Sequence, residues 1–415
     1  MITGDRPVRV LYSFPHKLGA GRICYTAWQQ VSGLAAAGAE LVVFPGSVAR
    51  PVVANNVITR TTLAYAGVRI PYRLLGTIRA CALHDTIVAH RLANLAGQID
   101  VVHAWPLGAL KTLKTAKALG IPAVLERPNT HTRYAYDVVQ KECDRIGVVL
   151  PPGAEHAYQE QVLLREEAEY KLADRLLCPS KFVAKTFLDE GFHSDKLALH
   201  QYGYDPAVNY PAQQSPKRHR GLKALFVGLC AVRKGLHFAL QAWLQSKASS
   251  SGEFAIAGAF IPGYAEKLSS MLSHPSVRVL GHRDDVPELM RNSDVLVLPT
   301  IEEGSALVAA EARGSGCVLL VSEAAGAVCR HMHDALVHRV GDVPTLTQHL
   351  NMLHADRELL ERLRIASLNT VNEITWEAAG RKLLTIYREV IQAHTKQSLW
   401  QDSRTRELEV AAPAH

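Results

Sequence analysis

Two glutamates, Glu303 and Glu311, stand with seven residues between them in Pro299-Thr-Ile-Glu-Glu-Gly-Ser-Ala-Leu-Val-Ala-Ala-Glu311. The apolar run Val295 to Leu298 just before them reads as a buried strand, and Ala306 to Arg313 has a short helical pattern. One carboxylate then lies in a strand-to-helix loop and the other about two turns further on. Such a pair can address one ligand from two points. The helix N-terminus between them offers free N–H groups and the positive end of a dipole, which suit phosphate. A sugar, a phosphate and a ribose diol would together use all three features. Either glutamate alone also fits simple charge stabilisation of a helix start, although Glu311 lies too deep for that to be its main role.

Cations stand where a second strand ends. In Phe226-Val-Gly-Leu-Cys-Ala-Val-Arg-Lys-Gly235 a strand closes at Gly228 and a helix opens near Gly235, with Arg233 and Lys234 in the loop. Adjacent cations there can neutralise a diphosphate without a metal. Arg-Lys-Gly alone reads as a solvated basic loop; its place about 70 residues before Glu303, on the same sheet edge, favours a ligand. Near the start, Phe14-Pro-His-Lys-Leu-Gly-Ala-Gly-Arg-Ile-Cys24 puts Gly19 and Gly21 between a strand and a helix. This is a ligand loop or a structural turn with about equal weight. A dinucleotide-binding fingerprint, with Glu40 on the ribose, fits poorly. Cys24 replaces the third glycine, and Glu40 starts its strand instead of ending it.

The elements that position these loops alternate. Strands are expected at Val8–Phe14, Glu40–Phe44, Ile99–His103, Ala123–Glu126 and Leu176–Pro179, with helices at Cys24–Ala37, Leu107–Leu119, Leu163–Leu177 and Lys181–Glu190. A second series runs through Leu222–Gly228, Phe254–Gly258, Val277–Gly281, Val295–Pro299 and Val318–Ser322. The pattern predicts two α/β domains with parallel sheets. The amino-terminal domain is expected over 1–210, a polar linker over 211–221, and the carboxy-terminal domain over 222–375. A final helix, 376–396, is expected to pack back on the first domain, and 397–415 to be disordered. Ligands of such sheets bind at the carboxyl ends of the strands, here in an interdomain cleft.

Composition narrows the chemistry. Seven scattered cysteines form no CxxC pair, and 19 histidines show no convincing ligand spacing, so buried thiols and no metal are expected. His331 and His333 read as surface residues, and Asp284-Asp285 as a turn. The net charge of +7 suits anionic partners, and the first 100 residues hold ten Lys and Arg against four Asp and Glu. No aromatic and basic interleaving supports nucleic acid as a partner. No run of 18 apolar residues appears, and the first residues lack a secretory signal, so a cytoplasmic protein is expected.

The second domain resembles the carboxy-terminal half of the retaining glycosyltransferases of family 4, which have the GT-B fold. Glu303 and Glu311 match their Glu-x7-Glu motif, and Lys234-Gly235 their Lys-Gly loop. The likeness continues through Ala173-Asp-Arg-Leu-Leu-Cys-Pro-Ser180, Gln201-Tyr-Gly-Tyr-Asp205 and Trp376 to Tyr387, and covers roughly residues 8 to 393. The resemblance implies two Rossmann-like domains, with the acceptor on the amino-terminal one and a nucleoside-diphosphate sugar (UDP or GDP) on the other. It implies that Glu311 holds the ribose, Glu303 the donor hexose, and Arg233 and Lys234 the diphosphate. Gly228, Gly304 and backbone N–H groups of Ser305, Ala306, Leu307 and Val308 would border the donor. Gly19 and Gly21 would approach it from the other domain, and the loop of His282 and Arg283 would meet the base. His131, in Glu126-Arg-Pro-Asn-Thr-His131, matches a histidine that faces the sugar; a surface loop histidine is the plain alternative. The chain departs from the family at Leu229, often Arg, at Gly304-Ser-Ala306, usually Gly-Phe-Gly, and at Val318, often proline.

The activity implied is transfer of a sugar to a glycan or lipid-linked acceptor in polysaccharide or glycoconjugate synthesis, with no cofactor or metal. The alternative is a non-catalytic subunit that binds nucleotide sugar; intact Glu303, Glu311 and Lys234 favour the enzyme. A nicotinamide-dependent oxidoreductase is disfavoured by Cys24 and Glu40. Between 71 and 97, Leu74, Ile78, Cys81, Val88, Leu92 and Leu95 form a helical stripe flanked by Arg73, His84 and Arg91. It reads as a peripheral membrane contact or, more simply, as a core helix with a solvated edge.

Overall fold

The structure is a computed structural model that describes residues 6–65, 68–69, 75–212 and 221–410. The strands are β1 (Arg9–Leu18), β2 (Glu40–Val48), β3 (Val57–Thr59), a short antiparallel pair β4 (Ala64–Tyr65) and β5 (Val68–Arg69), then β6 (Val101–Ala104), β7 (Ala123–Glu126), β8 (Arg175–Cys178) and β9 (Leu197–Leu199). Apart from β4 and β5 they form one sheet in the order β3-β2-β1-β6-β7-β8-β9. The second sheet takes β10 (Lys223–Val227), β11 (Glu253–Ala257), β12 (Val277–Gly281), β13 (Val295–Leu298), β14 (Val318–Ser322) and β15 (Ala335–His338), in the order β12-β11-β10-β13-β14-β15. Neighbours in both sheets pair in parallel. Helices between the strands cover both faces, which is why strands such as Val295–Leu298 are apolar without alternation and wholly buried.

In each sheet the order reverses beside the strand that opens the domain. Connections leave β1 toward β2 on one side, and β6 lies on the other; β10 stands likewise between β11 and β13. These reversals leave crevices at the carboxyl ends of β1 and β10, the places where α/β sheets bind ligands. Period-two alternation divides the amino-domain core. Val10, Tyr12 and Phe14 pack on one face, while Leu11 joins Val102 and Ala104 on the other.

The final helix runs from Trp376 to Val410, so residues 397–410 continue it instead of forming the disordered tail expected there. It does pack on the amino-terminal domain: Leu383, Leu384, Tyr387 and Val390 join the cluster of Val10, Tyr12 and Phe14. Gly33 and Gly380 let it cross the helix Ile23–Ala36 closely, since a Cβ on Gly380 would overlap the Gly33 backbone and one on Gly33 would crowd the Trp376 carbonyl. Most of the linker expected at 211–221 lies outside the described residues.

The stripe between 71 and 97 resolves as a core helix. Cys81, Val88 and Leu92 of the helix Thr77–Asn94 are buried in the domain. His84, expected at a solvated edge, is fully buried, with Nε2 2.9 Å from Ser13 Oγ and Nδ1 2.7 Å from Thr62 Oγ1. Arg91 is exposed, while Arg73 and Leu74 lie outside the described residues. Among the described residues no helix is long and apolar enough to cross a membrane.

Candidate active site

The loops that follow β10 and β13 interlock. The Arg233 carbonyl accepts from the Ile301 N–H (2.8 Å) and the Thr300 hydroxyl (2.7 Å). Gly235 is left-handed, with φ 68°, and a Cβ there would overlap the Pro299 carbonyl. Glycine is therefore the residue that lets these two turns meet. Their side chains meet as well: Arg233 Nη1 lies 3.2 Å from Glu303 Oε2, and Lys234 Nζ is in direct contact with the same oxygen. Burial, then the Arg233 charge, lowers the Lys234 pKa from the ordinary lysine value. Glu155 and Glu302 oppose that shift in part, and Lys234 forms a salt bridge with Glu303.

The adjacent Glu302 ties this cluster to the other domain. It is fully buried. Its Oε1 accepts from the Thr130 N–H (3.2 Å) and hydroxyl (2.8 Å) in the loop after β7. Its Oε2 lies 2.9 Å from His156 Nε2 and 3.5 Å from Arg233 Nη1. Burial pushes the carboxyl up, but His156, Arg233 and Thr130 outweigh it and hold it well below the usual range. Arg233 Nη2 meets a third carboxylate, Glu155, at 3.1 Å. Gly304 closes the junction: its carbonyl accepts from Ser180 Oγ (2.7 Å), and a Cβ on it would overlap the Pro128 carbonyl. The helix Thr132–Ile146 of the amino domain also reaches over, with Glu142 2.7 Å from His237 Nε2. The two domains thus meet directly beside the cluster. Thr130, Glu155, His156 and Glu302 have no spacing that singles them out. Only the Glu302-Glu303 doublet was a signal, and it does not say which member is buried.

Glu311 lies at the far end of the same loop-helix unit, on the helix Leu307–Gly314, and burial raises its carboxyl pKa. Its charge is the smallest of the influences that shift the Tyr25 hydroxyl of the amino domain. Tyr25 stacks on Trp28 (6.0 Å between centroids), and Arg50 lies 4.8 Å over Trp28. Of the N–H groups expected to border a donor, that of Ala306 is already given to the Ala325 carbonyl (3.0 Å). Ser305 and Val308 are half-buried, and Leu307 packs against Tyr202 and Trp376.

The other expected residues divide. Gly21 and Gly228 face open space, as a close ligand approach requires, whereas Gly19 (φ 79°) is pressed against Arg50. His131 caps its helix: Nδ1 accepts from the Arg133 N–H (3.3 Å), and its own N–H donates to Thr186 (3.0 Å). Its ring is buried against Tyr170, Phe187 and Phe192, so it is neither the surface histidine of the plain alternative nor in contact with Glu303. Burial, then Arg127 and Arg133, lowers its pKa to about 3, which keeps it neutral. His282 and Arg283 sit exposed at the carboxyl end of β12, where Arg283 pairs with Asp285 of its own loop (2.6 Å). His331 and His333 are on the surface. Burial pushes the Cys81, Cys178 and Cys230 thiols up to about 12.

Two domains with parallel sheets turned toward one cleft define the GT-B architecture of glycosyltransferases. Residues 221–356, which hold the Arg-Lys turn and both glutamates, match the family described as glycosyl transferases group 1. The N,N'-diacetylbacillosaminyl-diphospho-undecaprenol alpha-1,3-N-acetylgalactosaminyltransferase of Campylobacter jejuni is 28% identical over 125 residues, 29% of this chain. That match spans only 33% of the relative's own length. The D-inositol 3-phosphate glycosyltransferase of Salinispora arenicola is 24% identical over 77% of this chain and 75% of its own. Sucrose-phosphate synthase from Thermosynechococcus elongatus superposes with a TM-score of 0.66 at 19% identity, over 94% of this chain and 100% of that one. At that identity the superposition speaks for the fold alone.

Proposed function

We propose that the protein is a retaining, metal-independent hexosyltransferase that moves a sugar from a nucleoside-diphosphate sugar to a glycan or lipid-linked acceptor. The observation that carries this reading is the contact of Arg233 and Lys234 with Glu303 at the switch point of the second sheet. Both cations sit where a donor diphosphate would lie, and both would gain most as negative charge builds on the leaving group. Glu303, released from them, would accept hydrogen bonds from the hexose. Glu311 would take the ribose hydroxyls, and Gly21 and Gly228 would let backbone approach the diphosphate. Gly304, Ser305 and Val308 would line the hexose side.

In the proposed reaction the bond from the anomeric carbon to the diphosphate oxygen breaks. The acceptor oxygen bonds to that carbon from the same face, and its proton passes to the departing diphosphate. Junctions such as Gly304 on Pro128 would keep water from the cleft. His131 would act through the helix it caps. The name of the Campylobacter relative, with its undecaprenol diphosphate, supports a lipid-linked acceptor, and the product would then serve polysaccharide or glycoconjugate synthesis.

The test is a panel of UDP and GDP sugars with the purified chain, read by thermal stabilisation and by release of nucleoside diphosphate. One donor should stabilise the protein and turn over slowly even without acceptor. Silence across the panel overturns the reading, and normal turnover by Glu303→Ala would remove that residue's role.

A further inference from the structure

Arg233 is gripped by more negative charge than one guanidinium requires. Glu302 and Glu303 meet Nη1 and Glu155 meets Nη2, so two cations, Arg233 and Lys234, face three carboxylates. A diphosphate cannot join this group until one carboxylate leaves. Glu302 is fully buried and bonded to Thr130 and His156, and Glu303 is 11% exposed and shared with Lys234. Glu155 is the loose member, with its side chain 46% exposed.

Glu155 lies on a strap that starts after the left-handed Gly147. Val148 anchors the strap in the core of the carboxy-terminal domain, and the chain then passes through Pro151, Pro152 and Gly153. His156 fastens the other end on Glu302 and pays for its place with a positive φ of 68°. Between these two anchors the Glu155 side chain can swing away while the strap stays attached. Burial pushes the Glu155 carboxyl up, but Arg233, His156 and Lys234 together outweigh it and hold the group below its usual range.

We propose that Glu155 is a built-in competitor for the diphosphate of the donor: it occupies Arg233 in the empty site, swings out when the diphosphate arrives, and thereby sets donor affinity. The proposal rests on the donor reading above. It is tested by titrating wild type and Glu155→Gln with UDP, GDP, pyrophosphate and the bare nucleosides. The variant should bind pyrophosphate and its preferred nucleoside diphosphate about fivefold more tightly, with nucleoside binding unchanged. Unchanged or weaker pyrophosphate and diphosphate binding in Glu155→Gln overturns the proposal, as does failure of both proteins to bind pyrophosphate. A gain for pyrophosphate without any nucleotide binding would keep the competitor and discard the donor reading.

Discussion

Replacing Glu302 by glutamine should destabilise the protein by about 3 kcal/mol at neutral pH. The carboxylate is buried and has Thr130, His156 and Arg233 as partners, drawn from both sides of the cleft. At 3.5 Å from Arg233, an effective dielectric constant of about 20 gives an attraction of about 5 kcal/mol. Desolvation of the carboxylate offsets part of this, and Arg233 keeps Glu155 and Glu303 as partners, which places the net loss at the low end for a broken buried pair. Glutamine retains one acceptor for Thr130 but turns an N–H group toward His156 and Arg233. The loss should depend on pH with a definite sign. The folded-state pKa of Glu302 is depressed from 4.5, so its contribution is complete above that value and disappears as pH falls through the folded value. The gap between wild type and Glu302→Gln should therefore narrow as the pH drops below about 4.5. Urea unfolding read by tryptophan fluorescence at pH 7, 5 and 4 measures it. At a slope of about 3 kcal/mol per molar the midpoint should fall by about 1 M at pH 7. Equal midpoints at pH 7, or a gap that widens in acid, would refute the reasoning.

Two further substitutions separate ligand binding from packing. Glu311→Ala should weaken nucleoside diphosphate binding about tenfold or more, since hydrogen bonds to a charged group are lost, and leave pyrophosphate binding unchanged. Parallel titrations check this, and equal losses for both ligands would reassign the residue. Gly380→Ala sets a Cβ against the Gly33 backbone and forces the last helix off the amino-terminal domain. A cost of about 2 kcal/mol should lower Tm by about 4–8 °C, and an unshifted melting curve would count against that helix crossing.

The sequence displayed local order well and long-range contact poorly. The strands at Ala123–Glu126, Val277–Gly281 and Val318–Ser322 have the expected bounds because compact apolar runs between turn signals leave little choice. Ala335–His338 escaped notice because four residues beside a polar, histidine-bearing stretch carry too little pattern. The helix Thr132–Ile146 buries Ala135, Tyr136, Val139 and Cys143 among charged neighbours, and its role in bridging the domains depends on contacts far away in the chain. Arg233, Lys234 and Glu303 could be linked in advance because sheet topology brings the ends of β10 and β13 together. Nothing in the chain ties Thr130 to Glu302, or Glu155 to Arg233, since those pairs depend on how two domains dock. His84 was misjudged at the helix edge because its ring nitrogens find Ser13 and Thr62, which makes burial of the imidazole tolerable.

The central claim is that Arg233 and Lys234 receive a donor diphosphate. It is tested most directly by titrating UDP and GDP into wild type and Lys234→Ala at fixed salt. The account predicts binding of one of these nucleotides by wild type and a loss of about 30-fold in the variant, the worth of a charge-assisted contact. Affinities equal within a factor of about two would contradict it.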